Sequence, residues 1–275
     1  MALPLPTLQA RTSAGLSFLT DDALFAATGV RLGFSRRQGG VSEAPYDGLN
    51  LGDHVDDDPD AVAENRRLLL EATGLGGTAL LTLNQVHGDC VLSLSDASES
   101  AFRAAAEAGR AGADGVAVSA LNVTALLCFA DCTPVIVASP TGAFAVAHAG
   151  WRGALAGIPA KAVEAVAALD AAAGTRTDPS ELNAYIGPHI AAPCYECGDE
   201  LVGRFVDRYG EACALGADHL NLEAAVRASL VEAGVTAARI AAAGECTACC
   251  EDRYFSYRKS GGRCGRHGAF AGRKE

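Results

Sequence analysis

The sequence predicts a mixed α/β fold, α+β in character, in which a single domain builds a largely antiparallel sheet flanked by helices. Three observations carry this expectation. Short β-branched apolar runs crowd the middle of the chain, helical patterns lie on both sides of them, and no internal repeat or low-complexity linker divides the 275 residues. With 49% apolar residues the chain can bury a sizeable core.

Taken in order, residues 1–30 are read as a peripheral N-terminal segment of the one domain, 1–275. Asp58-Pro59 supplies an N-cap and a first-turn proline for a helix near 59–73, with Leu68, Leu69 and Leu70 as apolar surface and Gly74 to end it. Strand-like runs follow at 79–83, 86–94, 115–118, 123–129, 134–139 and 143–147. Between them, the Ala-rich stretch 101–113 leads into Ala113-Asp114-Gly115 as a helix followed by a turn. Farther on, 153–169, 198–208 and 222–233 are expected as helices, and 182–186 and 237–243 as strands. Pro159 means that the first of these helices either kinks there or starts there.

The chain carries 22 Lys plus Arg against 33 Asp plus Glu, and the net charge of −11 repels a phosphate backbone, so nucleic acid is not an expected partner. No run approaches the roughly 20 apolar residues of a membrane span, and the opening MALPLPTLQARTSAG lacks the pattern of a signal peptide. A cytoplasmic protein with no membrane partner is expected. In such a chain ten cysteines point to metal ligation, catalysis or core packing before disulfides.

Three blocks embed reactive side chains among glycines and strand residues: Asn84-Gln85-Val86-His87-Gly88, Ala130-Asp131-Cys132-Thr133-Pro134 and Ala147-His148-Ala149-Gly150-Trp151-Arg152-Gly153. Each reactive residue stands at or near a strand end. Strand ends converge on one edge of a sheet, so His87, Cys132 and His148 can meet within the ~2.0–2.3 Å ligand distances of zinc. Three protein ligands leave a fourth position open, the arrangement of a catalytic site and one that implies hydrolysis or group transfer. Taken singly, each of the three reads first as an ordinary buried residue, and it is their combination that points to a metal. The last block runs through a flexible turn into a helix expected near Arg152-Gly153, whose free N–H groups and guanidinium suit an anion; Arg152 paired to a surface carboxylate is the alternative.

At these blocks the sequence closely resembles the YfiH family, long labelled multicopper polyphenol oxidase or laccase and later described as purine nucleoside-processing zinc enzymes. The resemblance runs from Gly48-Leu49-Asn50-Leu51-Gly52 and Glu64-Asn65-Arg66, through the three blocks, to Ile186-Gly187-Pro188, Cys246-Thr247 and Phe255-Ser256-Tyr257-Arg258. It implies a YfiH-like fold with His87, Cys132 and His148 as metal ligands. It also implies phosphorolysis of adenosine, inosine, guanosine or methylthioadenosine to a base and a sugar 1-phosphate, and deamination of adenosine to inosine. On that reading Arg152, and after it Arg66, seats phosphate in line with C1′ of the ribose. Asn50 and Gln85 are candidates to hydrogen-bond sugar or base, with turn stabilisation and ligand support as their alternatives. Strand alternation points Asp131 away from Cys132, which leaves it a weak candidate for base or acceptor. His54 and His189, lone histidines beside turns, receive no role.

Cys194-Tyr195-Glu196-Cys197 and Cys246-Thr247-Ala248-Cys249-Cys250 offer two C-x-x-C pairs, but the gap between them is long for a small zinc module, and independent reduced thiols are expected. Cys128 is expected in the core. The tail His267-Gly268-Ala269-Phe270 ends differently from the family's apolar C-terminus, so no substrate contact is assigned to it. Zinc is the expected metal, although thiolate and imidazole accept copper too. The competing readings are a copper-dependent phenol oxidase, a cysteine hydrolase with Cys132 as nucleophile and His148 or His87 as base, and a non-catalytic thiol protein. The sequence leaves monomer and homodimer equally open.

Overall fold

Turn chemistry organises the start of the chain. A computed structural model describes residues 2–275. Ala14 and Gly15, both with positive φ, close a tight hairpin between β1 (Gln9–Ser13) and β2 (Leu16–Thr20). Asp21 caps helix α1 (Asp22–Thr28) by accepting from the Ala23 and Leu24 amides, and left-handed Gly29 releases the chain into β3 (Val30–Ser35). Asp58 caps α2 (Pro59–Ala72) with proline in its first turn. Then come β4 (Ala79–Thr82), β5 (Val91–Leu94), α3 (Glu99–Ala111), β6 (Gly115–Val118), β7 (Val123–Phe129), β8 (Thr133–Ala138) and β9 (Phe144–Ala149). The last part adds α4 (Trp151–Leu155), α5 (Ile158–Ala172), β10 (Asn183–Ile186), α6 (Asp199–Tyr209), the small pair β11 (Ala214–Leu215) and β12 (His219–Leu220), α7 (Leu222–Glu232), β13 (Ile240–Ala242) and β14 (His267–Arg273).

The mixed α/β class holds, with two large sheets where one was expected. Their orders are β1-β2-β3-β14-β7-β4 and β13-β10-β8-β9-β6-β5. Antiparallel pairing dominates among the described residues, and the parallel strand pairs are β4–β7, β5–β6 and β10–β13. Leu32, Phe34, Leu127, Phe129 and Ala269 of the first sheet pack against Val116, Ile136, Phe144, Val146 and Tyr185 of the second. The outer face of the second sheet is covered by α5, α6 and α7 through Val163, Val166, Phe205 and Val226; that of the first is covered by α2 and the 49–51 segment. Strands between two packed layers are apolar on both faces, which is why β7, β8 and β9 are continuous apolar runs with every residue buried. Among the described residues, no helix is long and apolar enough to cross a membrane.

Four local departures from the sequence expectation have physical causes. The segment expected to be peripheral is so in part: among residues 2–30, β1 is mostly exposed and Leu5 stands out to solvent, but Leu16, Phe18 and Leu19 of β2 and Leu24 of α1 are buried. The run 86–94 forms a strand only from Val91, because the Asp114 carboxylate draws the Val86, His87 and Gly88 amides out of any ladder. The 153–169 helix is divided: left-handed Gly157 ends α4, and Pro159 lies in the first turn of α5. Finally, β14 sits at the centre of the first sheet between β3 and β7. Its neighbours leave no room for branched side chains, since a Cβ on Gly268 would lie 2.6 Å from Leu126 and one on Gly272 2.4 Å from Thr124. The strand therefore lacks the composition that announces one.

Candidate functional site

The site lies at one end of the layer between the two sheets. Along β9, Phe144 and Val146 point into that layer, so two-residue alternation sends His148 the same way, against Phe129 at 5.2 Å between ring centroids. In the β8–β9 register Pro134 faces His148 and Thr133 faces Ala149. This places Cys132, in the turn between β7 and β8, beside the outgoing end of β9. The turn is tight enough to hold Asp131 at φ 93°. His87 arrives from the 84–90 loop, also at positive φ, with its ring edge-on to His148 at 4.8 Å. The donor atoms of His87, Cys132 and His148 all lie within 4.8 Å of one another.

Asp114 organises this trio. Its fully buried carboxylate accepts from the amides of Val86 (3.2 Å), His87 (2.9 Å) and Gly88 (2.6 Å), and lies 2.8 Å from His148 Nδ1. One side chain thereby fixes the loop that carries His87 and turns His148 so that Nε2 is free for the cluster. Burial opposes the charge on Asp114, yet its bonds to His148, Gly88 and His87 hold the carboxyl below its usual range. Gly150 leaves the space: a Cβ there would sit 3.1 Å from His87 and 3.2 Å from the Cys132 sulfur. Burial alone pushes the Cys132 thiol up, but the two imidazoles bring it down to about 6. His148 is pushed down by burial and raised by Cys132 and Asp114, to about 9. These shifts favour a thiolate beside an imidazolium when no cation is bound.

A cavity of about 480 Å³ opens over the trio, within the range of small-ligand sites. Its wall includes His54, Trp151, Arg152, Tyr195, Tyr257, Arg258 and Arg266. Arg152 stacks over the Trp151 ring at 4.3 Å and, among the described residues, makes no ion pair and no side-chain hydrogen bond. It was expected at the start of a helix able to seat an anion; a helix does start there, but α4 is only five residues long, and the Arg152 guanidinium is the charged group it brings to the cavity.

The structure does not bring Asn50 and Arg66 to the cavity wall. Asn50 is fully buried; its amide group donates to Asp57, and its oxygen accepts from the Gly52 and Arg266 amides. Arg66 donates to the Leu51 carbonyl and pairs with Asp53. Both hold the loop before α2, and Asn50, through Arg266, also holds one cavity wall. Gln85 does line the cavity, but its amide both donates to and accepts from the Cys128 backbone at 2.8 Å, prolonging the β4–β7 pairing through a side chain. Asp131 accepts from the Thr247 hydroxyl and the Arg258 amide, each at 2.6 Å, tying two distant segments to the Cys132 turn. Cys128 is buried, as expected.

Asp114, His54, Tyr195 and Arg266 were given no role from the sequence, and Tyr257 and Arg258 only marked a resemblance. Tyr257 and Arg258 stand inside a matched block and His54 two residues after one, whereas Asp114, Tyr195 and Arg266 lie outside the blocks and carried no signal. Of the other cysteines, Cys194, Cys246 and Cys249 bring their sulfurs within 4.8 Å of one another, against the expectation of independent thiols. Cys197 and Cys250 stand apart from that group.

A family model described as multi-copper polyphenol oxidoreductase laccase matches residues 31–274. The chain is 32% identical over 255 residues to the purine nucleoside phosphorylase YlmD of Geobacillus stearothermophilus, covering 90% of this chain and 91% of that one. It is 37% identical over 235 residues to a purine nucleoside phosphorylase of Streptomyces griseus, covering 82% and 87%. The solved structure of YlmD from G. stearothermophilus superposes with a TM-score of 0.82 over all of both chains at 30% identity. The hypothetical protein YfiH of Bacillus licheniformis gives the same score over 96% of this chain and 99% of that one, at 28% identity. Matched along almost its whole length, the chain belongs to the YfiH family, whose model carries the laccase description.

Proposed function

We propose that the protein is a zinc-dependent enzyme of purine nucleosides. It phosphorolyses adenosine, inosine, guanosine or methylthioadenosine to the base and a (deoxy)ribose 1-phosphate, and it deaminates adenosine to inosine. One observation carries the reading: two imidazoles and a thiol converge on the floor of a cavity walled by arginines and aromatic rings. The names of the two curated relatives supply the nucleoside and the phosphate.

The residues fit a zinc ion. His87, Cys132 and His148 are a donor set that zinc accepts, Asp114 orients one imidazole, and Gly150 clears the space between them. Bound there, zinc supplies Lewis-acid chemistry. Copper accepts the same donors, but multicopper oxidation calls for about ten histidines. This chain has six, and among the described residues one three-donor cluster contains any of them.

Around the ion the chain's own groups bind and orient. Arg152, with its N–H groups uncommitted, holds phosphate by paired hydrogen bonds and stabilises the charge that develops during phosphorolysis. Arg258 and Arg266, anchored to the Glu196 and Cys264 carbonyls, extend the positive wall. Trp151, Tyr195 and Tyr257 offer flat faces for the purine. Asn50 acts at one remove by holding that wall through Arg266, Arg66 by holding the loop before α2, and Gln85 by holding the His87 loop. This chemistry needs no nucleic-acid or membrane partner and suits a cytoplasmic monomer or homodimer.

One geometry favours a second reading. Cys132, His148 and Asp114 form a nucleophile–base–orienter line, with the thiol lowered to about 6. That line leaves His87 without a part, whereas the metal reading uses all three donors.

The test is turnover of adenosine with and without phosphate, followed by chromatography, on metal-quantified protein beside a His148→Ala variant. Adenine, hypoxanthine or inosine from the native protein, lost in the variant and after chelation, supports the zinc reading. Turnover that survives chelation points to the cysteine nucleophile, and zinc-loaded protein inert toward every purine nucleoside overturns the proposal.

A further inference from the structure

The two C-x-x-C pairs resolve into an unexpected grouping. Cys194 closes the short turn 192–194, while Cys246 and Cys249 flank the turn that follows β13. The Cys194 and Cys249 sulfurs are 3.4 Å apart, and Cys246 completes a triangle whose sulfurs all lie within 4.8 Å. The other two cysteines are engaged elsewhere: Cys197 leans on the Tyr195 carbonyl, and Cys250 accepts from the Arg253 guanidinium at 2.8 Å.

The triangle is built to carry negative charge on sulfur. The Ala191 amide donates to the Cys246 sulfur at 3.3 Å. Partial burial pushes that thiol up, but the amides of Ala191, Cys249 and Ala248 outweigh it and hold Cys246 below the usual thiol range. A sulfur in a C-x-x-C turn that accepts an amide hydrogen, here that of Ala191, is arranged like a metal-binding thiolate before any metal arrives. Crowding works the other way on Cys194, which its neighbour Cys249 pushes up, so ionising all three sulfurs calls for a compensating cation.

We propose that Cys194, Cys246 and Cys249 form a second metal site, which binds one thiophilic d10 cation, Zn²⁺ or Cu⁺, through three sulfurs. Binding is ligand exchange alone: each thiol still protonated gives its proton to solvent, three S–metal bonds form, and nothing is oxidised or reduced. Soft thiolates select these ions over hard ones, and a three-sulfur set without a fourth protein donor suits trigonal Cu⁺ or Zn²⁺ completed by water. The ion clasps two turns that shape the neighbouring cavity. Tyr195, which lines the cavity, follows Cys194 directly, and Thr247, which bonds Asp131 beside Cys132, follows Cys246.

The experiment counts ions and maps thiols. Full-length protein kept reduced with a phosphine is loaded with Zn²⁺ or, separately and anaerobically, with Cu⁺, desalted, and assayed for metal per chain. Cys249 is exposed, so Cys249→Ser keeps the fold, which circular dichroism checks. The native chain is expected to retain one more ion than Cys249→Ser, and which loading shows the difference identifies the cation. That difference is independent of the histidine site, because both proteins keep it intact. Brief alkylation with mass mapping gives the second reading: metal protects Cys194, Cys246 and Cys249 together while exposed Cys90 stays reactive, and Cys249→Ser loses protection at the other two. Equal ion counts, or equal alkylation with and without metal, overturns the proposal, as does a Cys194–Cys249 disulfide that persists in phosphine-treated protein.

Discussion

The histidine-containing trio and the thiol triangle each gather three donor atoms within 4.8 Å, but different parts of the fold hold them. His148 sits in a central strand and Cys132 in the tight turn beside it, and the loop bearing His87 is fixed by the buried carboxylate of Asp114. The thiols stand on two surface turns, with Cys249 exposed and backbone amides as their main support. A donor set fixed by sheet register and a buried anion keeps its geometry without an ion, whereas one on surface turns depends more on the ion to draw it together. Breaking the support of the first site should therefore weaken metal binding while leaving the thiol triangle untouched.

Asp114→Asn is the sharpest way to test that difference. Asparagine can present its oxygen to the loop amides or to His148, but its NH₂ group then faces a donor where Asp114 offers an acceptor. Losing the partner that orients a ligating histidine lowers metal affinity or activity by about 10–100-fold. Competition with a chromophoric chelator should show a drop of that size at the histidine site, with alkylation of Cys194, Cys246 and Cys249 unchanged. Native affinity in the Asp114→Asn variant would mean that the sheet alone fixes the trio.

Arg152→Ala comes next. A hydrogen bond to a charged group contributes ~1.5–3 kcal/mol, so KM for phosphate should rise about 10- to 100-fold while bound zinc stays the same. An unchanged KM for phosphate would move the anion to Arg258 or Arg266 across the cavity.

Much of this contrast was visible in the sequence, and where it was not the reason is physical. β7, β8 and β9 were legible because burial on both faces makes a strand continuously apolar, and His87, Cys132 and His148 stood out as reactive residues at the ends of such runs. Asp114 was not, since an aspartate between alanine and glycine looks like any turn residue until four hydrogen-bonding partners converge on it. β14 escaped because crowding by Leu126 and Thr124 demands glycine where a strand usually shows branched side chains. Asn50 and Arg66 are ambiguous for the opposite reason: a polar side chain in a loop reads the same whether it faces a ligand or the loop's own carbonyls, and these two bond the carbonyls. The thiol triangle hid for a related reason, because spacing revealed the pairs but not that Cys197 and Cys250 turn away.

The smallest expected effect concerns protons, and it probes whether the histidine trio is charged before the ion arrives. With the Cys132 thiol at about 6 and His148 at about 9, chelator-stripped protein between those values holds a thiolate next to an imidazolium. Zinc needs the thiolate and a neutral imidazole, so from these two residues binding displaces one proton, that of His148. Affinity at this site should then rise about tenfold per pH unit between 6 and 9. Below 6 Cys132 is protonated too and the count approaches two; above 9 it approaches zero. The thiol triangle would add its own protons, so the titration is best made on Cys249→Ser. Calorimetry in two buffers of different ionisation enthalpy, at a pH of about 7.5 midway between the two values, measures the count directly. A value near one shows that the pair carries a single proton at this pH, and thiolate ultraviolet absorbance in the stripped protein, absent from Cys132→Ser, places that proton on His148; no such absorbance would put it on the thiol and show that the ion pair forms only through the metal.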